Sequence, residues 1–336
     1  MTGILKTLTF SGSVIVLSAL TAGCLQNEWE EKEEQEKKII AEYLADNNIS
    51  EDKKTEGGIY YIEKTAGTGA SPVQDDYIVI EYVGRYIETD MIRETTYDSL
   101  KEDWSAADVF TNYVYGPVKF EFGYSVPGLN EGIAMMKEGG KALLVLPSDK
   151  AFYDFHPMSY EIELLRAIPD PVEYEDSVLA AYLDAKGFDA GTEYVDNGDT
   201  IWFKETVTPD PGDEKTIDQG DTVLFRFKGR LVDGFGNVLQ DERIFDSNMD
   251  DDNPVKIVFS STPSKKSGNI LAIPRGLVMA LDSMRNGTQA TAVLPYTQAF
   301  DDGGITSSTY GYTIVPPYQT VIYDIIVEDI QSPAGK

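Results

Sequence analysis

The sequence predicts an α+β protein of two tandem domains, each with many strands and one short central helix. Three observations carry this. The 336 residues exceed one ordinary domain of roughly 100–200 residues. One succession of helix, strand and turn patterns occurs twice, at a period far longer than that of a solenoid. Between the copies, Pro169 and Pro171 interrupt regular structure. A hydrophobic fraction of 42% with 25% charged residues suits globular cores rather than a disordered chain.

At the N-terminus, Lys6 precedes the apolar run Val14-Ile15-Val16-Leu17, and small residues follow at Thr21-Ala22-Gly23, the order of a signal peptide. Ser and Gly interrupt the run well short of the ~20 apolar residues that a membrane-spanning helix needs. Leu20-Thr21-Ala22-Gly23-Cys24 resembles the bacterial lipobox, which implies cleavage after Gly23 and lipidation of Cys24. Cys24 is the only cysteine, so an intramolecular disulfide or a Cys-ligated metal site is excluded.

Asn27-Glu28-Trp29-Glu30-Glu31-Lys32-Glu33-Glu34 is too charged to bury and reads as a solvated tether or the exposed start of a helix. An acidic stretch at this place also resembles the surface-export signal of Bacteroidetes lipoproteins. The expected organisation is a signal peptide over 1–23, an acidic tether over 24–38, and domains over 39–168 and 169–336. The expected location is extracytoplasmic, anchored by lipid in the cell envelope at the outer membrane or cell surface.

A net charge of −29 repels a phosphate backbone and excludes nucleic acid as a partner. It gives no grip on anionic lipid either, leaving the acyl chains as the membrane attachment. The oligomeric state stays open.

Each copy begins with a helical pattern, Ile40-Ala41-Glu42-Tyr43-Leu44 and Leu179-Ala180-Ala181-Tyr182-Leu183, followed by short strands at Gly58–Ile62 and Thr200–Phe203. Alternating runs rich in β-branched residues come next, over 77–85 and 222–230. The apolar spacing of Gly128–Met136 and Gly276–Met284 fits one short helix packed on a sheet, stopped by Gly139 and Gly287. Strands close each copy, at 142–147 and 160–164, then at 290–295 and 321–327. Many strands with one helix define the α+β class.

The ordered markers in both copies resemble the FKBP family of peptidyl-prolyl isomerases. They are Tyr82-Val83-Gly84 and Phe227-Lys228-Gly229, then Tyr97-Asp98-Ser99 and Phe245-Asp246-Ser247, then Pro117-Val118-Lys119-Phe120 and Pro254-Val255-Lys256-Ile257. Val126-Pro127-Gly128 and Ile273-Pro274-Arg275-Gly276 follow, and after them Pro147–Phe152 and Pro295–Phe300. Ile314-Val315-Pro316-Pro317 resembles the family's flap, for which the first copy has only the short loop Tyr153–Met158. The resemblance implies a bent antiparallel sheet wrapped around one short helix.

The resemblance also implies binding and isomerisation of proline-containing polypeptide segments, without cofactor or metal. Its catalytic residues in the second copy would be Asp246, Phe245, Phe227, Phe300 and Tyr323, with substrate-binding Val255, Ile273, Pro274, Leu277, Ile314 and Val315. In the first copy the binding set would be Tyr82, Tyr97, Asp98, Val118, Val126, Leu129, Phe152 and Tyr160. Leu129 and Leu277 stand where the family has a tryptophan floor, and Phe152 and Phe300 where it has a flap tyrosine that donates a hydrogen bond. The alternative function is a noncatalytic surface module that binds a partner protein.

Other chemistries find little support. His156 is the only histidine, and no Gly-x-Ser-x-Gly elbow or phosphate-binding glycine loop is present. The stretch Asp246–Asp252 only faintly follows a calcium loop, with Asp251 at the glycine position and Ile257 at the closing glutamate.

Overall fold

The computed structural model describes residues 13–104, 113–189, 192–208, 212, 215–233, 243–260, 266–267, 272–307 and 311–333, with the backbone alone over 13–27 and 266–267. The first twelve residues and the Cys24 side chain lie outside that description.

The first unit opens with the long helix α1 (Ser13–Asp46). Its strands are β1 (Tyr60–Thr65), β2 (Tyr77–Tyr86), β3 (Ile92–Thr95), β4 (Val118–Glu121), β5 (Gly140–Leu146) and β6 (Met158–Ile168), with helix α2 (Pro127–Ala134) between β4 and β5. The second unit opens with α3 (Pro171–Lys186), then β7 (Glu193–Asp196), β8 (Asp199–Val207), β9 (Thr222–Leu231), β10 (Ile244–Ser247), β11 (Val255–Val258) and β12 (Lys266–Ser267). Helix α4 (Arg275–Asp282), β13 (Gln289–Leu294), β14 (Ile305–Thr306), β15 (Thr313–Val315) and β16 (Val321–Gln331) complete it.

Both sheets are antiparallel and share one strand order. The first runs β1-β5-β6-β2-β3 with β4 also on β2; the second runs β8-β13-β16-β9 with β10 and β11 on β9. Among the described residues the short β14 and β15 pair only with each other. The duplication read from the sequence is thus a duplication of topology, and the α+β expectation is met.

Alternation along the strands puts a helix on each face. On β16, Val321, Tyr323, Ile325 and Val327 join the core around α4, while Ile322 turns to α3 and packs with Val178, Leu179 and Tyr182. In the first unit Leu144 and Leu146 face Leu129 and Ile133 of α2, while Val145 turns to Ile40 and Leu44 of α1. Helix α3 starts early because the Asp170 carboxylate accepts from the Val172 and Glu173 amides, both at 3.0 Å, and Pro171 suits the first turn.

The acidic stretch after Cys24 is helical, the second of the two readings offered for it. Glu28–Glu34 is exposed, but Glu36 is buried and accepts from the amide and hydroxyl of Ser148. Charge density therefore hid a docking contact. Among the described residues no helix is long and apolar enough to cross a membrane.

The two units meet through buried charge. Lys119 Nζ on β4 lies 2.6 Å from Glu175 Oε1 on α3 and donates to the Tyr318 carbonyl at 3.2 Å, while the Thr320 amide donates to Glu175 Oε2 at 3.1 Å. Burial pushes the Glu175 carboxyl up, opposed by the Lys119 ammonium. Arg243 pairs with the buried Asp233 at 3.0 Å and donates to the carbonyls of Tyr115 and Pro117 at 3.0 and 2.9 Å. Removing one partner from such a pair costs about 3–5 kcal/mol, because it strands the other charge.

Candidate functional site

In the second unit, strands and helix converge on an aromatic cage. Phe227 on β9 and Tyr323 on β16 pair across the sheet with ring centroids 5.9 Å apart. Phe245 on β10 meets Tyr323 edge-on at 5.8 Å and Phe300 edge-on at 5.9 Å. This close approach depends on Gly229, directly opposite Asp246 in the ladder, since a Cβ there would lie 2.6 Å from the Phe245 ring. Leu277 closes the floor from the first turn of α4, and Val255, Ile314 and Val315 are buried in the same cluster. Ile273 packs against it, and Pro274 caps α4.

Among the described residues the Asp246 carboxylate acts on the cluster. Burial raises the Tyr323 hydroxyl far above the ordinary tyrosine value, and the Asp246 carboxylate adds to that shift. Among the described residues the buried Tyr323 hydroxyl has no hydrogen-bond partner. Native structures leave few buried hydroxyls unmatched, so this one stands out.

The first unit keeps the scaffold and changes the lining. Tyr82 and Tyr160 occupy the positions of Phe227 and Tyr323, with centroids 6.1 Å apart, and Leu129 and Phe152 belong to the same cluster. Val118 and Val126 pack against it half-buried.

The register moves two of the expected residues out of the site. Gly84 pairs with Glu94, as Gly229 pairs with Asp246. The Tyr82 amide donates to Thr96 Oγ1 at 2.9 Å, as the Phe227 amide donates to Asn248 Oδ1 at 2.7 Å. Arg93 and Glu94, not Tyr97 and Asp98, therefore answer to Phe245 and Asp246. Tyr97 packs instead with Val83, Ile92 and Trp104, on the face of β2 opposite Tyr82, and Asp98 is exposed. The β2–β3 connection is shorter in the first unit, so matching residue letters shifted the alignment by four positions.

The substitution changes the chemistry. The Arg93 guanidinium carbon lies 3.5 Å from the Phe152 ring centroid, filling the place of the Phe245 ring. Tyr160 donates its hydroxyl to Glu94 at 2.5 Å, so the hydroxyl left open in the second unit is satisfied in the first. Sequence reasoning missed Arg93, Glu94, Thr96 and Asn248; only strand pairing identifies them. His156 is exposed on its loop, 3.7 Å from Glu88.

The second unit thus buries a cluster of four aromatic rings, with Asp246 near it among the described residues. Residues 213–328, which contain it, match the FKBP-type peptidyl-prolyl cis-trans isomerase family, so the second unit carries an FKBP-type domain. The chain is 30% identical over 135 residues to a probable FKBP-type peptidyl-prolyl cis-trans isomerase FkpA of Neisseria meningitidis serogroup B, covering 36% of this chain and 44% of the relative. It is 34% identical over 112 residues to the FkpA isomerase of Aeromonas hydrophila, covering 33% and 36%. The chain thus spans less than half the length of these curated relatives. Among solved structures it is similar to Escherichia coli FkpA (21% identity, TM-score 0.32, 49% of this chain and 75% of that one). A further likeness is to the three FKBP domains of wheat FKBP73 (17% identity, TM-score 0.30, 83% and 97%).

Proposed function

We propose that the protein is a prolyl cis-trans isomerase and folding helper for proline-containing segments of extracytoplasmic polypeptides, with turnover in the second unit. The observation that carries this is the cage of Phe227, Phe245, Phe300 and Tyr323 beside Asp246.

No covalent step is required. Rotation about a peptide bond is slow because amide resonance must break, at a barrier of ~18–20 kcal/mol. A twisted amide has less charge separation than a planar one, so a dry aromatic site favours it relative to water. The Tyr323 hydroxyl is placed to hold a substrate carbonyl, and Asp246 to fix the polar edge of the bound segment. In the first unit Arg93 stands in the cage, which supports a binding or spacing role there.

The same reading places the units at 39–168 and 169–336, with Cys24 as the lipid attachment behind a cleaved leader, and the protein in the cell envelope. The test is a prolyl-isomerisation assay of the full chain against Asp246→Val. A wild-type rate above buffer that falls in the variant, with unfolding temperature unchanged, supports the reading. A wild-type chain that binds proline peptides without accelerating them supports the noncatalytic module instead.

A further inference from the structure

A cavity of about 510 Å³ lies in the first unit, between α1 and the turns before β1 and after β5. It shares no lining residue with the aromatic cluster of the second unit. Its volume falls within the roughly 300–1,000 Å³ of ligand-sized clefts. Ile40 and Leu44 of α1, buried with Tyr60 of β1, form the inner apolar wall, and Pro147 and Ser148 close the far side. Trp29, Glu33, Glu36 and Ile40 reach the cavity together because their spacing puts them on one face of the helix. Glu36 is buried there and accepts from the Ser148 amide and hydroxyl, which fixes α1 along this wall.

The mouth is aromatic and acidic. Trp29 and Tyr153 line the cavity yet are 58% and 69% exposed, so they stand at its rim. Trp29 meets Phe155 edge-on, ring centroids 4.6 Å apart, and its Nε1 donates to Glu33 at 3.0 Å. The loop that carries Tyr153 and Phe155 runs between β5 and β6, where the second unit has β14 and β15 between β13 and β16. In the first unit that loop brings both rings to α1, with φ of 58° and 62°, a backbone that bulky residues rarely adopt. Four carboxylates, Glu33, Glu36, Glu51 and Asp149, line the cavity against two lysines, and Asp149 has no hydrogen bond or ion pair with any described residue. Lys37 is already engaged by Glu34 at 2.6 Å. Cations settle on these rings even within the chain, with Lys54 5.5 Å from the Tyr60 centroid and Lys32 5.4 Å from that of Phe155.

We propose that this cavity is a second binding site, which recognises a polypeptide segment carrying a large apolar side chain next to a lysine or arginine. The apolar side chain packs on Ile40, Leu44 and Tyr60, and the neighbouring cation meets the carboxylates and ring faces of the mouth. The net charge of −29 draws basic partners from solution toward it. That the ligand is a polypeptide rests on the folding-helper reading above, whereas the site belongs to the first unit and requires no proline.

The test titrates the full chain, by calorimetry, with two proline-free peptides that are alike except that one sets arginine and the other glutamate beside each leucine. The arginine peptide should bind about tenfold tighter than the glutamate peptide. Trp29→Ala should weaken it about tenfold, as loss of an aromatic anchor does, and leave prolyl-isomerase kcat/KM unchanged. Glu33→Gln with Asp149→Asn should narrow the difference between the two peptides. Should Trp29→Ala lose its unfolding transition, Tyr153→Ala, on the other side of the mouth, decides the matter. No preference for arginine in the wild type, or the same Kd in the folded aromatic variants, overturns the inference. So does n-butylammonium binding as tightly as the peptide, which would make this a site for small amines. Arginine-peptide binding that responds to these variants, in a chain that turns over no proline peptide, upholds this site and overturns the isomerase reading alone.

Discussion

Arg93 lies flat over Phe152, its guanidinium carbon 3.5 Å from the ring centroid, where the second unit sets the Phe245 ring edge-on to Phe300. One proline-type cage is therefore filled by a cation, while its duplicate keeps four aromatic rings. Arg93→Ala should leave isomerase kcat/KM of the full chain within about twofold, whereas Asp246→Val should lower it about tenfold, the kinetic scale of one interaction of ~1.4 kcal/mol. Equal losses in the two variants would place turnover in both units.

The Tyr323 hydroxyl offers a sharper probe, because it is buried without a partner among the described residues. Tyr323→Phe should stabilise the protein or leave it unchanged, since an unmatched buried hydroxyl costs ~1–3 kcal/mol. The same change should lower kcat. Thermal unfolding and steady-state rates, measured together, separate the two effects.

Lys119→Met should destabilise the chain by about 3–5 kcal/mol, and the Lys119→Met/Glu175→Leu double variant by less, because it leaves no stranded charge. A pH dependence follows. Burial already raises the Glu175 carboxyl and Lys119 opposes the rise, so losing Lys119 raises it further. A raised folded value contributes stability that is fully present below the unfolded value and lost as pH rises through the folded one. The deficit of Lys119→Met should therefore be larger near pH 7 than near pH 5, as denaturant melts at each pH would measure.

Alkaline titration should split the tyrosines into two groups. Burial pushes Tyr60, Tyr97 and Tyr174 up to about 12, and Tyr82, Tyr160 and Tyr323 higher still. Their stabilising contribution is complete below the unfolded value of about 10 and is lost as pH rises through the folded values. Phenolate absorbance should show exposed tyrosines ionising first and a late, cooperative step that coincides with loss of circular dichroism.

Cys24→Ala should abolish incorporation of labelled acyl chains and release the protein from the membrane fraction. Unchanged label and membrane recovery would refute the anchor.

Much of the fold was legible because strand alternation and the helix periods of α2 and α4 are local signals, present twice. Phe227, Phe245 and Phe300, singled out beside Gly229, before Asp246-Ser247 and after Pro295, do fall in one aromatic cluster with Tyr323. Tyr97 and Asp98 misled because residue letters say nothing of register: the Gly84–Glu94 pairing depends on hydrogen bonds between strands. Val114 was hidden further: it is buried in the second unit's core cluster, and no periodicity within either copy points across. Glu36 shows the same limit, since its buried partner Ser148 lies 112 residues away.

The Lys119–Tyr318 contact bridges 199 residues. A chain emerging from its N-terminal end completes the first sheet long before that carbonyl exists. Until then Lys119 has neither that carbonyl nor Glu175 as a partner. A truncated product ending between the two units would therefore display a lysine that the finished molecule buries, a mark by which the one differs from the other.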